Sequence, residues 1–221
     1  MKVLITSGGT AEKIDTVRSI VNTSTGRLGC AIAEAFAARG AHVFYVCGKG
    51  AARPTAKVDV IDIDDVASLQ VAITHLLEKN DVDIIIHAMA VSDYRVKDVL
   101  TTDGISQDIN GKISSGHKEL IVHLEKTVKI IGMLRGLSPK SIIMGFKLLD
   151  NVSHETLINT AHGLLVKNQC NFVLANDATE IFGDGHKGYL IDESRNYSTY
   201  NTKAEIAQAI VQTTLDFGRD P

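Results

Sequence analysis

Val3-Leu4-Ile5-Thr6-Ser7-Gly8-Gly9-Thr10, residues 3–10, is a short apolar run that stops on two glycines. Such a run suits a buried first strand, and the glycines suit a tight turn at its carboxyl end. Outward from this stretch, short apolar runs alternate with helical periods. Leu28, Ile32, Ala35 and Phe36 mark one face of a helix ending near Gly40. Strands are predicted over 43–47 and 57–63. Asp64-Asp65 then opens a helix whose apolar face is Val66, Leu69, Ile73, Leu76 and Leu77, with acids at the end the helix dipole favours. Ile84-Ile85-Ile86 reads as a strand buried on both faces, and 141–146 and 171–175 repeat that pattern. A helix carrying Leu157, Ala161, Leu164 and Leu165 lies between those two, and a last helix spans 203–217.

This alternation predicts an α/β fold: a three-layer, Rossmann-like parallel sheet with helices on both faces. Two segments stand apart. Residues 95–125 are polar, contain Gly104, Gly111 and Gly116, and offer short strands near 111–115 and 119–124, which reads as an antiparallel excursion. Residues 187–201 read as a hairpin turning at Asp192–Asn196.

Composition narrows the function classes. A length of 221 residues suits one domain over 1–221, and a net charge of -3 with no block of five basic residues argues against nucleic acid. No apolar run reaches a membrane span, and the first residues are too soon broken by glycine for a signal peptide, so a cytoplasmic protein is expected. Cys30, Cys47 and Cys170 form no CxxC pair and read as buried, reduced thiols. The eight histidines show no HxxxH spacing, which argues against structural zinc.

Ligands of open parallel sheets bind beyond the carboxyl ends of the strands, so the punctuated segments there are the candidate sites. Thr6-Ser7-Gly8-Gly9-Thr10 could present backbone amides to a phosphate or be an ordinary turn; it is neither GxGxxG nor a Walker loop. Asn22-Thr23-Ser24-Thr25-Gly26-Arg27 opens a helix, with Ser24 or Thr25 as a cap and free amides suited to an anion. The Asn22 carboxamide could bond a carbonyl oxygen gaining charge under attack, or simply serve a turn. Ala88-Met89-Ala90-Val91-Ser92-Asp93 leaves room for a flat ring, with Asp93 as acceptor for ribose hydroxyls or as a plain cap. Lys112 and Lys167 could neutralise a leaving pyrophosphate, or be solvated surface charges.

Together these segments resemble phosphopantothenate–cysteine ligases. Residues 6–29 resemble the family's ITSGGTxExIDxVRxIxNxSSGxxG stretch, Ala90-Val91-Ser92-Asp93-Tyr94-Arg95 its AAVADYR segment, and Lys112-Ile113 the start of its KIKK or KxSS segment. Gly145-Phe146, Lys167-Asn168 with Ala175-Asn176-Asp177, and Phe182-Gly183 resemble further motifs in the same order, over roughly residues 2–215.

The resemblance implies a ligase joining 4′-phosphopantothenate to L-cysteine in coenzyme A biosynthesis. It would act through an acyl-nucleotide with release of pyrophosphate, using CTP or ATP as co-substrate and Mg²⁺. It implies Asn22 and Lys112 as catalytic residues. Nucleotide contacts would come from Gly8, Gly9, Ala88, Met89, Asp93, Lys112, Val128, Lys129, Ile130, Phe146 and Lys167. Ser24, Thr25, Gly26 and Arg27 would bind the substrate phosphate; which residues hold the metal is left unknown. It also implies a homodimer formed through the 95–125 excursion, with Lys112 on a flap, and the stand-alone form of the enzyme.

Met89, Ser114-Ser115, Val128 and Gly163 depart from the family pattern, and Lys147 could supply the charge missing at Gly163. A non-catalytic nucleotide sensor on the same fold is the alternative, but a sensor needs neither Asn22 nor Lys112. A short-chain reductase would want GxxxGxG and a YxxxK pair. Tyr94 is followed at that spacing by Asp98, and the Tyr45–Lys49 match sits in a turn-like Gly48-Lys49-Gly50.

Overall fold

The computed structural model describes residues 1–182 and 185–218. Its strands are β1 Lys2–Ser7, β2 Ala11–Lys13, β3 Ser19–Val21, β4 His42–Gly48, β5 Asp59–Ile63, β6 Ile84–His87, β7 Tyr94–Thr101, β8 Leu120–Lys126, β9 Ile142–Leu149, β10 Phe172–Asp177, β11 Ile181–Phe182, β12 Gly185–Ile191 and β13 Tyr197–Thr202. The helices are α1 Arg27–Ala38, α2 Val66–Lys79, α3 Ile130–Leu137, α4 His154–Asn168 and α5 Lys203–Phe217.

Six of these strands run parallel in the order β5-β4-β1-β6-β9-β10. Numbered by appearance among themselves they read 3-2-1-4-5-6, the doubly wound arrangement, whose direction of winding reverses between β1 and β6. Both strands at that point are buried on both faces, as their continuous apolar runs require. β12 adds antiparallel to β10, and β13 and β11 pair with β12. The expected hairpin at 187–201 is thus present but extends the main sheet, turning where Asp192 N–H donates to the Asn196 carbonyl at 3.0 Å.

Two apolar layers enclose the sheet. Ile32 and Phe36 of α1 and Ile206 and Ile210 of α5 pack on one face with Val3, Ile5 and Ile86. Leu69 and Ile73 of α2, Leu134 of α3 and Leu157 and Ala161 of α4 pack on the other with Leu4, Ile85 and Ile143. Helix ends are fixed locally. Asp65 and Ser68 form a capping box on α2, and the Ser153 and Thr202 hydroxyls accept from Thr156 N and Glu205 N at the starts of α4 and α5. The three cysteines are free, and burial pushes the Cys47 and Cys170 thiols up to about 11. Among the described residues no helix is long and apolar enough to cross a membrane.

Several expectations need correction. No strand forms at 111–115; the segment between β7 and β8 is irregular, because Gly111, Gly116 and exposed Ser114-Ser115 give no alternating face. The excursion's first arm is instead β7, paired antiparallel with β8 from Tyr94↔Lys126 to Thr101↔Leu120. The small β2–β3 hairpin and helix α3 were not foreseen. Neither Ser24 nor Thr25 caps α1: its N-cap is Gly26 at φ 69°, with no side-chain cap. Of the Phe182-Gly183 motif, Phe182 ends β11 and Gly183 lies outside the described residues.

Candidate active site

The loops leaving β1 and β6 meet at the reversal point and are stitched into one framework. Ala90 N–H donates to the Gly8 carbonyl at 2.8 Å, and Thr10 N–H to the Ala90 carbonyl at 3.2 Å. Ser92 N–H donates to Thr10 Oγ1 at 2.9 Å. Gly9 is required by the closeness of this packing: a Cβ there would lie 2.0 Å from the Asn22 carbonyl oxygen. Gly8, at φ +80°, likewise faces Ala51. The sequence offered these glycines as a phosphate cradle; the geometry adds a packing requirement that holds β1 against the segment delivering Asn22.

Asn22 follows β3 and is held at both ends of its carboxamide. Nδ2 donates to the Val91 carbonyl at 3.2 Å, and Oδ1 accepts from Ser92 Oγ at 3.3 Å. One N–H of the amide has no protein acceptor among the described residues. The amide faces a cleft of about 230 Å³ at the carboxyl ends of β6 and β9. Seven of the catalytic and nucleotide-contact residues that the resemblance implies line it: Asn22, Met89, Asp93, Val128, Lys129, Ile130 and Phe146. His87, Lys147 and Leu164 complete the wall that concerns the chemistry. At the rim Lys129 Nζ pairs with Asp93 Oδ1, both largely exposed. An exposed pair of this kind holds weakly and can be exchanged for a ligand.

The remaining sequence candidates are not part of the cleft wall. Ala88 is partly buried behind it, its N–H donating to the Thr6 carbonyl at 3.1 Å. Ser24, Thr25 and Arg27 are exposed around the uncapped start of α1, and Gly26 is buried against Ser7, whose hydroxyl donates to its carbonyl at 3.0 Å. Lys167 is exposed in the last turn of α4, one turn past Leu164. Lys112 is exposed beside the buried Ile113.

His87 is the group that the sequence reading missed. It ends β6 and is buried, and burial lowers its pKa to about 4, so it is neutral near pH 7. Its Nδ1 lies 2.8 Å from Thr6 Oγ1. Thr6 Oγ1 also accepts from Met89 N at 3.4 Å, so this hydroxyl ties the end of β6 to the segment that follows it. The available signal was positional: His87 is the titratable residue at the carboxyl end of a wholly apolar run.

A larger hollow, about 910 Å³, opens among Met1, Leu77, Leu137 and Leu215 at the opposite edge of the sheet. It faces the amino ends of the strands, where open parallel sheets do not bind ligands, and it gathers none of the sequence candidates. Chemistry therefore favours the smaller cleft. Among the described residues no group of three or more His, Cys, Asp or Glu side chains could hold a metal ion.

A family model described as the DNA/pantothenate metabolism flavoprotein C-terminal domain matches residues 1–217. The coenzyme A biosynthesis bifunctional protein CoaBC of Methanocaldococcus jannaschii is 34% identical over 214 residues, which cover 96% of this chain and 49% of that protein. The chain thus spans about half the length of the curated relatives it matches. The crystal structure of the DNA/pantothenate metabolism flavoprotein from Streptococcus pneumoniae superposes with a TM-score of 0.90 at 33% identity, covering 98% of this chain and 99% of the other. The C-terminal domain of a coenzyme A biosynthesis bifunctional protein CoaBC superposes with a TM-score of 0.76 at 26% identity, covering 99% and 96%.

Proposed function

The chain belongs to the family of the DNA/pantothenate metabolism flavoprotein C-terminal domain, and from that membership we propose that it is a ligase joining 4′-phosphopantothenate to L-cysteine in coenzyme A biosynthesis. The observation that carries the reading is the cleft at the reversal of the sheet, where Asn22 shares a wall with Met89, Asp93, Val128, Lys129, Ile130 and Phe146. The names of the curated relatives support it.

The proposed co-substrate is a nucleoside triphosphate, CTP ahead of ATP. Its base and ribose lie against Met89, Ile130 and Phe146. Ribose hydroxyls displace Lys129 from Asp93, which frees that ammonium for the phosphates. Lys112, Lys147 and Lys167 supply further positive charge, the Gly8-Gly9 turn backs the phosphates, and Ala88 supports the wall. Mg²⁺ would supply charge neutralisation for the triphosphate; among the described residues Asp93 is the one carboxylate lining the cleft and would be the protein group nearest to it. The substrate's own phosphate sits at the uncapped start of α1, among Ser24, Thr25, Gly26 and Arg27.

In the first half-reaction the phosphopantothenate carboxylate attacks the α-phosphorus and pyrophosphate leaves, with Lys112 stabilising the charge on the leaving group. In the second, the cysteine amine attacks the acyl carbon, the nucleoside monophosphate leaves, and the amine proton passes to solvent. The free N–H of Asn22 suits the carbonyl oxygen that gains charge in this step. The residues 1–221 act as one domain, as a homodimer, and in the cytoplasm, in keeping with three free thiols.

The test is pyrophosphate release by the purified protein with Mg²⁺, phosphopantothenate and cysteine, comparing CTP with ATP. Release that requires phosphopantothenate is the expected result, and the faster triphosphate identifies the co-substrate. A folded protein that binds nucleotide and releases no pyrophosphate would instead be a nucleotide sensor.

A further inference from the structure

Lys112 lies in a stretch with no regular structure, yet its neighbour is fixed. Between 102 and 119 Ile113 is the one buried residue, 4% exposed, flanked by exposed Lys112 and Ser114. Its backbone is gripped from far away in sequence. Ile113 N–H donates to Asp15 Oδ2 at 3.2 Å, and Arg18 Nη2 donates to the Ile113 carbonyl at 2.9 Å. One Asp–Arg pair therefore satisfies both polar groups of this peptide segment.

That pair is itself rigidly built. Asp15 is 1% exposed in the turn between β2 and β3. Its Oδ1 accepts from Val17 N at 2.9 Å and Arg18 N at 2.8 Å, and its Oδ2 accepts from Arg18 Nε at 3.0 Å. The Arg18 guanidinium, and then the backbone donors, hold the Asp15 carboxyl well below the usual carboxylate range. Charge-assisted bonds of this kind are the stronger ones, and the guanidinium fork fixes direction as well as distance. Arg18 also leads into β3, which delivers Asn22 four residues later.

We propose that Asp15 is a positioning residue for Lys112: with Arg18 it forms a bracket that sets the reach of Lys112 relative to Asn22. The proposal rests on the reading of Lys112 given above. A bland role exists for the same pair, which is to close the β2–β3 turn. The two roles separate because a turn closure affects stability whether or not Lys112 is present. A bracket affects the first half-reaction only through Lys112.

The experiment is single-turnover pyrophosphate release by the full chain, with CTP or ATP, in a double-mutant cycle of Asp15→Asn and Lys112→Ala. Asp15→Asn keeps the shape and removes an acceptor for Ile113 N–H. It is expected to slow release about tenfold or more, since small misplacement near a reacting group has that scale. Its effect on nucleotide Kd should stay within about twofold, and in the Lys112→Ala background it should change the rate by less than about twofold. Ile113 amide exchange should quicken in Asp15→Asn.

Full additivity of the two losses would overturn the proposal, as would unchanged release with unchanged Ile113 exchange. If Lys112→Ala alone leaves release untouched, the assignment of Lys112 fails. The bracket is then judged on Ile113 exchange alone, where no change in Asp15→Asn sinks it. Should Asp15→Asn fail to fold, Arg18→Lys keeps the charge, loses the fork, and is read against the same outcomes.

Discussion

Asn22 is tied to Val91 and Ser92 by its own carboxamide, so replacing it removes both an anchor and the one amide N–H left for a ligand. Asn22→Ala is expected to leave pyrophosphate release largely intact and to slow product formation by roughly 10²-fold, the scale of a lost oxyanion donor. Equal falls in both steps would remove the residue from the second half-reaction. His87 predicts a different signature. Its folded pKa is about 4 against an ordinary 6.5. Between these values the unfolded chain takes up a proton that the folded chain refuses, so the contribution is complete above pH 6.5 and is lost as pH falls toward 4. The loss is on the order of 3 kcal/mol. His186 is lowered to about 4 as well, first by burial, so part of the acid sensitivity persists without His87. Denaturation midpoints of His87→Gln should therefore fall less steeply over this window than those of the parent protein. Identical slopes would mean that His87 is already charged or accessible. Motif order brought Asn22 to notice; His87 belongs to no motif, and only the position of β6 in the sheet shows that it lines the cleft.

At the scale of elements, the site depends on how closely the β1 loop, β3 and the segment after β6 approach. Gly9 is where that closeness is enforced, because an added Cβ would meet backbone, which cannot swing aside. Gly9→Ala is expected to cost about 1–3 kcal/mol of stability and to slow product formation, since the Asn22 backbone must retreat. An unfolding midpoint and a rate both equal to those of the parent would show that this contact relaxes freely. Elements with strong local signals were legible: α2 from its acids and apolar stripe, and β6 from its three isoleucines. Helix α3 was not, since Gly132 and Gly136 lower its propensity and no side chain caps it. What holds it is tertiary, with Ile130 and Leu134 buried on the sheet and Gly132 close to Asn168. The grip of Asp15 and Arg18 on Ile113 was illegible for a related reason, as it joins residues 98 apart.

For the whole molecule, sheet order does what no single segment does. Six parallel strands reversing between β1 and β6 bring residues from the first loop, the segment after β6, the start of α3 and the end of β9 to one edge. The β7–β8 ribbon stays outside this sheet and leaves Tyr94, Ile121 and Leu124 more than two-fifths exposed. Tyr94, paired with Lys126, shares one face of the ribbon with Leu124, and Ile121 lies on the other. A two-stranded ribbon is marginal by itself in water, and apolar side chains exposed on both of its faces ask for cover. In the homodimer proposed above, a second copy of the chain joined ribbon to ribbon would supply that cover and restrain the segment carrying Lys112. Sedimentation of the purified protein should then report a dimer at micromolar concentration. The pair of changes Ile121→Glu and Leu124→Glu should shift it to monomer while the far-ultraviolet spectrum stays that of a folded chain. Because the ribbon leads directly into the Lys112 segment, pyrophosphate release should fall along with the dimer. A parent protein that sediments as a fully active monomer would refute the pairing and leave the exposed ribbon to a different partner.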